Sequence, residues 1–262
     1  MLQKPEHLGP KYAAQFQDHS IVDAYHFRAP YPEETFEILM ELAHGYPQAL
    51  LDLGCGTGEI ARVLAPRVAR VDAVDLSAAM IRKGMSLPGG DHPNLSWICA
   101  PAETAQLSPP YSLIVAASSM HWMDWESLMP RLCTALAPEA FLAIVGPEER
   151  APAWEREIGP LCARFSTNRQ YQPYDLVEEL TRRGLFEVKG QRHTSPVEFT
   201  QPVDEYVESF HARNGFSRDR MTRDAAAAFD GALRNLIRPH CPRRIVTLTL
   251  QTVVTWGEPG GT

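Results

Sequence analysis

Three features of the chain predict an α/β fold built on a doubly wound, mostly parallel sheet. A short apolar run, Ala49-Leu-Leu-Asp-Leu53, leads into a glycine turn, Gly54-Cys-Gly-Thr-Gly58, and then into a helical pattern from Glu59 to Pro66. Further short β-branched runs alternate with helical stretches, which requires crossover connections and a sheet covered on both faces. A last alternating run, Ile245 to Trp256, reads as a long strand that closes the sheet.

Before the first strand, residues from about Tyr12 to Ala43 carry a mixed helical pattern broken at Arg28-Ala-Pro-Tyr-Pro32, where two prolines stop one helix and Glu33-Glu34 can start the next. After the glycine turn, Arg70 to Asp75 is the second strand, and Ser77 is a good cap for a helix over Ala78 to Gly84. Ser96 to Ala100 and Ser112 to Ala117 are the third and fourth strands. A helix from Trp125 to Leu136 and a fifth strand, Phe141 to Val145, follow. Beyond Gly146 the pattern becomes proline-rich and helical from Ala151 to Gly184. A strand over Phe186 to Arg192, helices between Val203 and Arg238, and the final strand complete a seven-stranded sheet. The tail Gly257 to Thr262 is expected to be disordered. This organisation is one domain over residues 1–262: a helical arm at 1–45, a ligand-binding core at 46–147, and closing strands with helical insertions capping the pocket at 148–262.

The 262 residues are 44% hydrophobic and 22% charged, enough for a sizeable core, and the formal net charge is −7 with no run of Lys and Arg. A nucleic-acid or anionic-membrane partner is therefore not expected, and a small molecule is. The five cysteines lie apart, without a CxxC pair or a nearby His at ligand spacing, so no metal site or disulfide framework is expected. That usage fits a reducing cytoplasm. The first residues carry no apolar leader, and no segment approaches eighteen uninterrupted apolar residues. The oligomeric state stays open.

The glycine turn carries the chemistry. Glycines between a strand and a helix allow positive φ and close approach of a ligand to backbone amides. A dinucleotide fingerprint reads GxGxxG and offers a helix N-terminus to a pyrophosphate. Here the spacing is Gly54-x-Gly56-x-Gly58, preceded by Asp52, and an acid beside such a turn suits a cationic amino acid better than a diphosphate.

With Asp75 closing the next strand, this segment resembles the first motif of class I S-adenosylmethionine-dependent methyltransferases, which have a Rossmann-like fold. The resemblance implies that Asp52, Gly54, Cys55, Gly56, Thr57 and Gly58 surround the methionine portion of S-adenosyl-L-methionine. It implies that Asp75 binds the ribose hydroxyls, and that Leu76, Met80, Ala102, Glu103 and Ala117 complete the cofactor site. The product would be S-adenosyl-L-homocysteine. The run Leu113-Ile-Val-Ala-Ala-Ser-Ser-Met-His-Trp-Met-Asp124 and the entry segment Tyr25-His-Phe-Arg-Ala-Pro-Tyr-Pro32 are similar to a subgroup that includes trans-aconitate methyltransferase-like enzymes. On that likeness Tyr25, Arg28 and Trp122 are candidate substrate residues. One departure stands out: many relatives place Asp before the Ala-Glu pair to accept the adenine amino group, and Pro101 stands there instead, without a side-chain acceptor or an N–H.

Ser108-Pro-Pro-Tyr111 mimics a signature of amino-methylating enzymes, but it precedes the fourth strand instead of following it, so it reads as a plain Pro-Pro turn. His121, just past the fourth strand, is the candidate general base or substrate orienter, with a role in capping or packing the next helix as the alternative. His193, His211 and His240 lie in the carboxyl half, and nothing in the sequence selects among them. The leading function is O-methylation of a carboxylate or hydroxyl on a small molecule. N- or C-methylation or an intramolecular cyclisation with the same cofactor, and a non-catalytic cofactor-binding protein, are the alternatives. A nicotinamide-dependent oxidoreductase fits the glycine spacing poorly.

Overall fold

The computed structural model describes residues 4–45, 48–151, 153–172 and 174–260. The arm contains α1 (Pro10–Ala13), α2 (His19–Ala24) and α3 (Glu33–Leu42), the first two joined by a 3₁₀ turn at Ala14–Gln17. The core runs β1 (Ala49–Leu53), α4 (Glu59–Leu64), β2 (Arg70–Asp75), α5 (Ala78–Met85), β3 (Leu95–Cys99), β4 (Tyr111–Ala117), α6 (Trp125–Ala135) and β5 (Leu136–Arg150). The carboxyl half adds α7 (Glu155–Phe165), α8 (Leu176–Arg182), β6 (Phe186–His193), β7 (Val197–Pro202), α9 (Val203–His211), α10 (Arg223–Ile237) and β8 (Ile245–Pro259).

The strands form one eight-stranded sheet in the order β3-β2-β1-β4-β5-β8-β6, with β7 also on β8. The pairings among β1 to β5 are parallel, and those that β8 makes with β5, β6 and β7 are antiparallel. The sheet is thus the expected Rossmann-like, mostly parallel one. Three details differ from expectation. The sheet has an eighth strand, because β7 pairs with the first half of β8 while β6 takes the second half. Strand β5 continues through Gly146–Arg150, since β8 is long enough to pair with that extension as well. Gly257–Pro259, expected to be disordered, instead end β8 opposite Phe186–Val188.

Strand alternation sends side chains to opposite faces. Leu51, Leu53, Ile114 and Ala116 pack with Leu128, Leu132 and Trp125 of α6, whereas Leu50, Leu113 and Val115 pack with Leu39 of α3 and Leu64 of α4. A third cluster joins Val207 and Phe210 of α9, Phe229 and Leu233 of α10, and Val246 and Leu248 of β8, so the carboxyl helices have an apolar core of their own.

The arm is fastened to the loop between α9 and α10 by polar bonds. Asp18 Oδ2 accepts from Ser217 Oγ and from Arg220 Nε, both at 2.6 Å. Asn214 Nδ2 donates to the Tyr12 carbonyl at 2.8 Å, and the Gly215 amide to Gln15 Oε1 at 2.9 Å. This fastening lays Ala13 and Phe16 over the crevice at the carboxyl ends of the parallel strands.

Candidate functional site

Strand β1 has β2 on one side and β4 on the other, so the chain reverses its winding direction there, and the crevice at such a reversal is where open α/β sheets bind ligands. A cleft of about 790 Å³, mouth included, occupies that place. Of the expected site residues, Tyr25, Arg28, Gly54, Gly56, Asp75, Leu76, Met80, Ala102, Glu103, Ala117 and Trp122 line it. A second cavity of about 510 Å³ adjoins it, lined by Asp52 and Cys55 among others. Tyr25, Arg28, Gly54 and Ala117 border both spaces.

Gly54 and Gly56 have φ of +65° and +56°, the left-handed region that side chains rarely adopt. A Cβ on Gly54 would stand 2.5 Å from Ser119 Cβ, so the turn and the segment after β4 could not close on each other. Ser118 itself has φ of +53°, and Ser119 Oγ donates to the Leu53 carbonyl at 2.5 Å, which ties the two loops together beneath the cleft. Thr57 and Gly58 line neither space. A Cβ on Gly58 would lie 2.4 Å from the Trp97 ring, and the Thr57 carbonyl accepts Arg62 Nε at 3.0 Å, so both serve the packing of α4.

Asp75 is held from both sides: Oδ2 accepts the Gly56 amide at 2.8 Å and Oδ1 the Ser77 amide at 2.7 Å. Burial raises its pKa against these two bonds. Each oxygen keeps a lone pair for a ligand hydroxyl. Asp52, 2% exposed, lies on the α4 face and, among the described residues, accepts only the Ala61 amide, at 3.1 Å. Burial, opposed by that bond and assisted by the Asp75 charge, pushes it up to about 7.

The loop after β3 that carries Pro101 is tied down by hydrogen bonds. Arg131 of α6 donates to the carbonyls of Ala102 at 2.9 Å and Ala105 at 2.7 Å. Glu103 Oε1 accepts the Asp124 amide at 2.7 Å, so this acid is fixed on the cleft wall.

Arg28 is enclosed by the arm and the core. Its Nη1 donates to Tyr25 Oη at 3.2 Å and its guanidinium lies 5.2 Å over the Tyr25 ring. Among the described residues no carboxylate lies within 4.0 Å of it. The phenols of Tyr25 and Tyr31 and the more distant Glu149 and Glu59 favour its charged form against burial. The sequence reading missed Tyr31, Glu59 and Glu149, which line the second cavity with Arg28. Tyr31 had a signal in the Tyr25 to Pro32 entry segment and Glu59 in its place directly after the glycine turn, whereas Glu149 had none.

His121 sits beside the cleft, not on its wall, packed on Trp122 with ring centroids 4.6 Å apart. Burial, with Lys4, Arg28 and His7 nearby, lowers its pKa to about 4, well below the ordinary histidine value. His211 is a structural residue whose ring bridges the Phe216 carbonyl and Asp230, each at 2.7 Å. Tyr111 of the Pro-Pro turn bonds Asp72 at 2.6 Å at the opposite end of β4 from the cleft. Among the described residues no cluster of three metal-ligating side chains occurs, and no helix is long and apolar enough to cross a membrane.

Residues 50–139 match the family model for a methyltransferase domain. The chain is 33% identical over 135 residues to a trans-aconitate 2-methyltransferase of Paracidovorax citrulli, covering 49% of this chain and 50% of that one. It is 38% identical over 79 residues to a malonyl-[acyl-carrier protein] O-methyltransferase of Anoxybacillus flavithermus, covering 29% of this chain and 30% of that one. The chain thus spans about half the length of the first relative and less of the second. Among solved structures it resembles one from Anaeromyxobacter dehalogenans, provisionally assigned as a type II methyltransferase, with TM-score 0.61, 27% identity and coverage of 90% and 99% of the two chains. A methyltransferase of Geobacter sulfurreducens, solved with S-adenosyl-L-homocysteine, shares the fold at TM-score 0.52 and 14% identity, over 95% of this chain and 98% of that one.

Proposed function

From this chain's kinship with class I S-adenosylmethionine-dependent methyltransferases, we propose that it transfers a methyl group to the carboxylate of a small acid. The observation that carries the acceptor class is Arg28, a guanidinium on the shared wall of both spaces with no carboxylate partner within 4.0 Å among the described residues. The Tyr25 and Tyr31 phenols and the more distant Glu149 and Glu59 hold Arg28 in its charged form, and with no carboxylate among the described residues hydrogen-bonded to it the guanidinium can give an incoming carboxylate paired, charge-assisted hydrogen bonds.

The cleft fits the cofactor. Asp75 offers its remaining lone pairs to a ribose diol, Leu76 and Met80 give apolar walls to a purine, and the fixed Glu103 is an acceptor where Pro101 supplies none. Asp52, buried and without a cation partner among the described residues, supports an ammonium near the glycine turn. Bound there, the sulfonium supplies an activated methyl group. With the cofactor held there, the acceptor oxygen would bond to the methyl carbon while sulfur would keep the electron pair of the broken carbon–sulfur bond, giving a neutral ester and a thioether.

The residues of this chain then have three tasks. Arg28 and Tyr25 orient the acid, Phe16 and Trp122 shield the cleft from water, and the arm keeps the roof in place. No base is required, because the acid enters already ionised. A neutral, weakly basic His121 agrees with that chemistry better than with hydroxyl activation. Incubating the chain with S-adenosylmethionine and a panel of acids, alcohols, phenols and amines, and identifying methylated products by mass, tests the reading. Methyl esters are expected. Exclusive methylation of amines, carbon acids or hydroxyls would overturn the acceptor class while leaving the cofactor assignment standing.

A further inference from the structure

The charges around Arg28 restrict which acids can enter, and this inference rests on the carboxylate reading above. We propose that the acceptor is a monocarboxylate with an uncharged body, and that the second cavity rejects acids carrying further carboxylates. The cavity wall brings Arg28 together with three acids, Asp52, Glu59 and Glu149. Glu149 is already paired, its Oε2 accepting Arg213 Nη2 at 2.6 Å. Asp52 and Glu59 accept only backbone amides, from Ala61 at 3.1 Å and Tyr31 at 3.1 Å, and among the described residues neither has a Lys, Arg or His within 4.0 Å.

One guanidinium is therefore available to an entering anion, and two carboxylates without a cationic partner face the same space. Burial raises both Asp52 and Glu59, and for Glu59 this is opposed by the Tyr31 amide and by Arg28 and Arg62. An ammonium from the cofactor can neutralise one of these acids. The other remains, and like charges brought together in an enclosed space repel strongly because little water screens them. A first carboxylate on Arg28 is favoured, while a second finds no further cation among the described lining residues and meets Glu59. The rest of the cavity wall, including Ala29, Ile60 and Pro147, offers apolar surface to an uncharged body. A relative named for trans-aconitate, a tricarboxylic acid, thus has a substrate whose charge this cavity does not match.

The test uses the whole chain with S-adenosylmethionine and acids paired by length and shape: hexanoate against adipate, benzoate against isophthalate, and trans-aconitate alone. Ester formation gives kcat/KM, and calorimetry with S-adenosylhomocysteine present gives acid affinity without turnover. The monoacid of each pair is expected to exceed its diacid by about tenfold or more in both measurements, with trans-aconitate weaker still. Glu59→Gln, which keeps an acceptor for the Tyr31 amide, should narrow the gap by raising the diacid relative to the monoacid. Diacids or trans-aconitate used as well as monoacids would overturn the inference alone. If no carboxylate is esterified or bound while S-adenosylhomocysteine still binds, this inference and the carboxylate reading both fall.

Discussion

The Asp75 carboxylate accepts the Gly56 amide at 2.8 Å, so the acid that ends β2 is tied across to the glycine turn that follows β1. One side chain therefore fixes the turn and lines the cleft.

Removing that acid should weaken cofactor binding more than any other single change in the cleft. Asp75→Ala takes away the acceptor proposed for two ribose hydroxyls and releases the Gly56 and Ser77 amides. Charged hydrogen bonds contribute about 1.5–3 kcal/mol, so affinity for S-adenosylhomocysteine should fall roughly ten- to a hundredfold by calorimetry. A folded variant that binds normally would show that Asp75 serves the turn alone.

Gly54→Ala tests the closure between the two loops. The substitution incurs a left-handed φ of +65° and a Cβ 2.5 Å from Ser119 Cβ. Together these should destabilise the fold by about 2–4 kcal/mol, read as a lower denaturant midpoint. Adding Ser119→Gly should recover only the steric part, since the backbone strain at residue 54 remains.

Asp52 should make cofactor affinity depend on pH. Its pKa in the free protein is about 7, so it is mostly protonated below that value and ionised above it. A cationic ligand favours the ionised form. Affinity should therefore rise between about pH 6 and 7.5, by less than the tenfold per unit limit for one proton, and Asp52→Asn should flatten the profile. A wild-type titration that is flat in this window would place the cofactor's ammonium away from Asp52.

The parts of this site written in one stretch of chain were legible in the sequence. The ends of β1 and β2 fall where the apolar runs stop, because the following residues, Gly54 to Gly58 and Ser77, are turn and cap formers. Strand β7 was not legible. Its Val197-Glu-Phe-Thr200 alternation is only four residues long and stops at Gln201-Pro202, too short to mark a strand by itself, and the strand exists because the first half of β8 offers an edge. The Glu148-Glu-Arg150 end of β5 has no apolar residue to mark it and so looks like loop. The second cavity was invisible because Arg28, Glu59 and Glu149 come from the arm, α4 and β5, and no local pattern records that they meet.

The arm's fastening predicts a gate that can be loosened without touching the cleft. Asp18 joins Ser217 and Arg220, and those bonds hold its pKa down against burial. Asp18→Ala should leave the sheet intact, make the arm more sensitive to proteolysis, and weaken S-adenosylhomocysteine binding by several-fold through loss of the Phe16 roof. Unchanged proteolysis would mean that the bonds from Asn214 and Gly215 suffice.

His121 provides the last prediction, because it separates esterification from hydroxyl methylation. A histidine acting as base would give turnover a rising limb at its own pKa, and here burial and the cations Lys4 and Arg28 lower that value to about 4. The ring is then neutral throughout the range in which the protein is assayed, and a carboxylate acceptor is ionised there too. Between about pH 6 and 8, kcat with a carboxylic acid should therefore show no limb from His121, and His121→Gln should change kcat by less than about threefold, far from the 10²–10⁴ typical of losing a general base. KM can shift modestly, since the ring packs on Trp122, which lines the cleft. A loss of about a hundredfold or more in kcat, with S-adenosylhomocysteine affinity unchanged, would instead assign His121 a proton-transfer role and point to a hydroxyl acceptor.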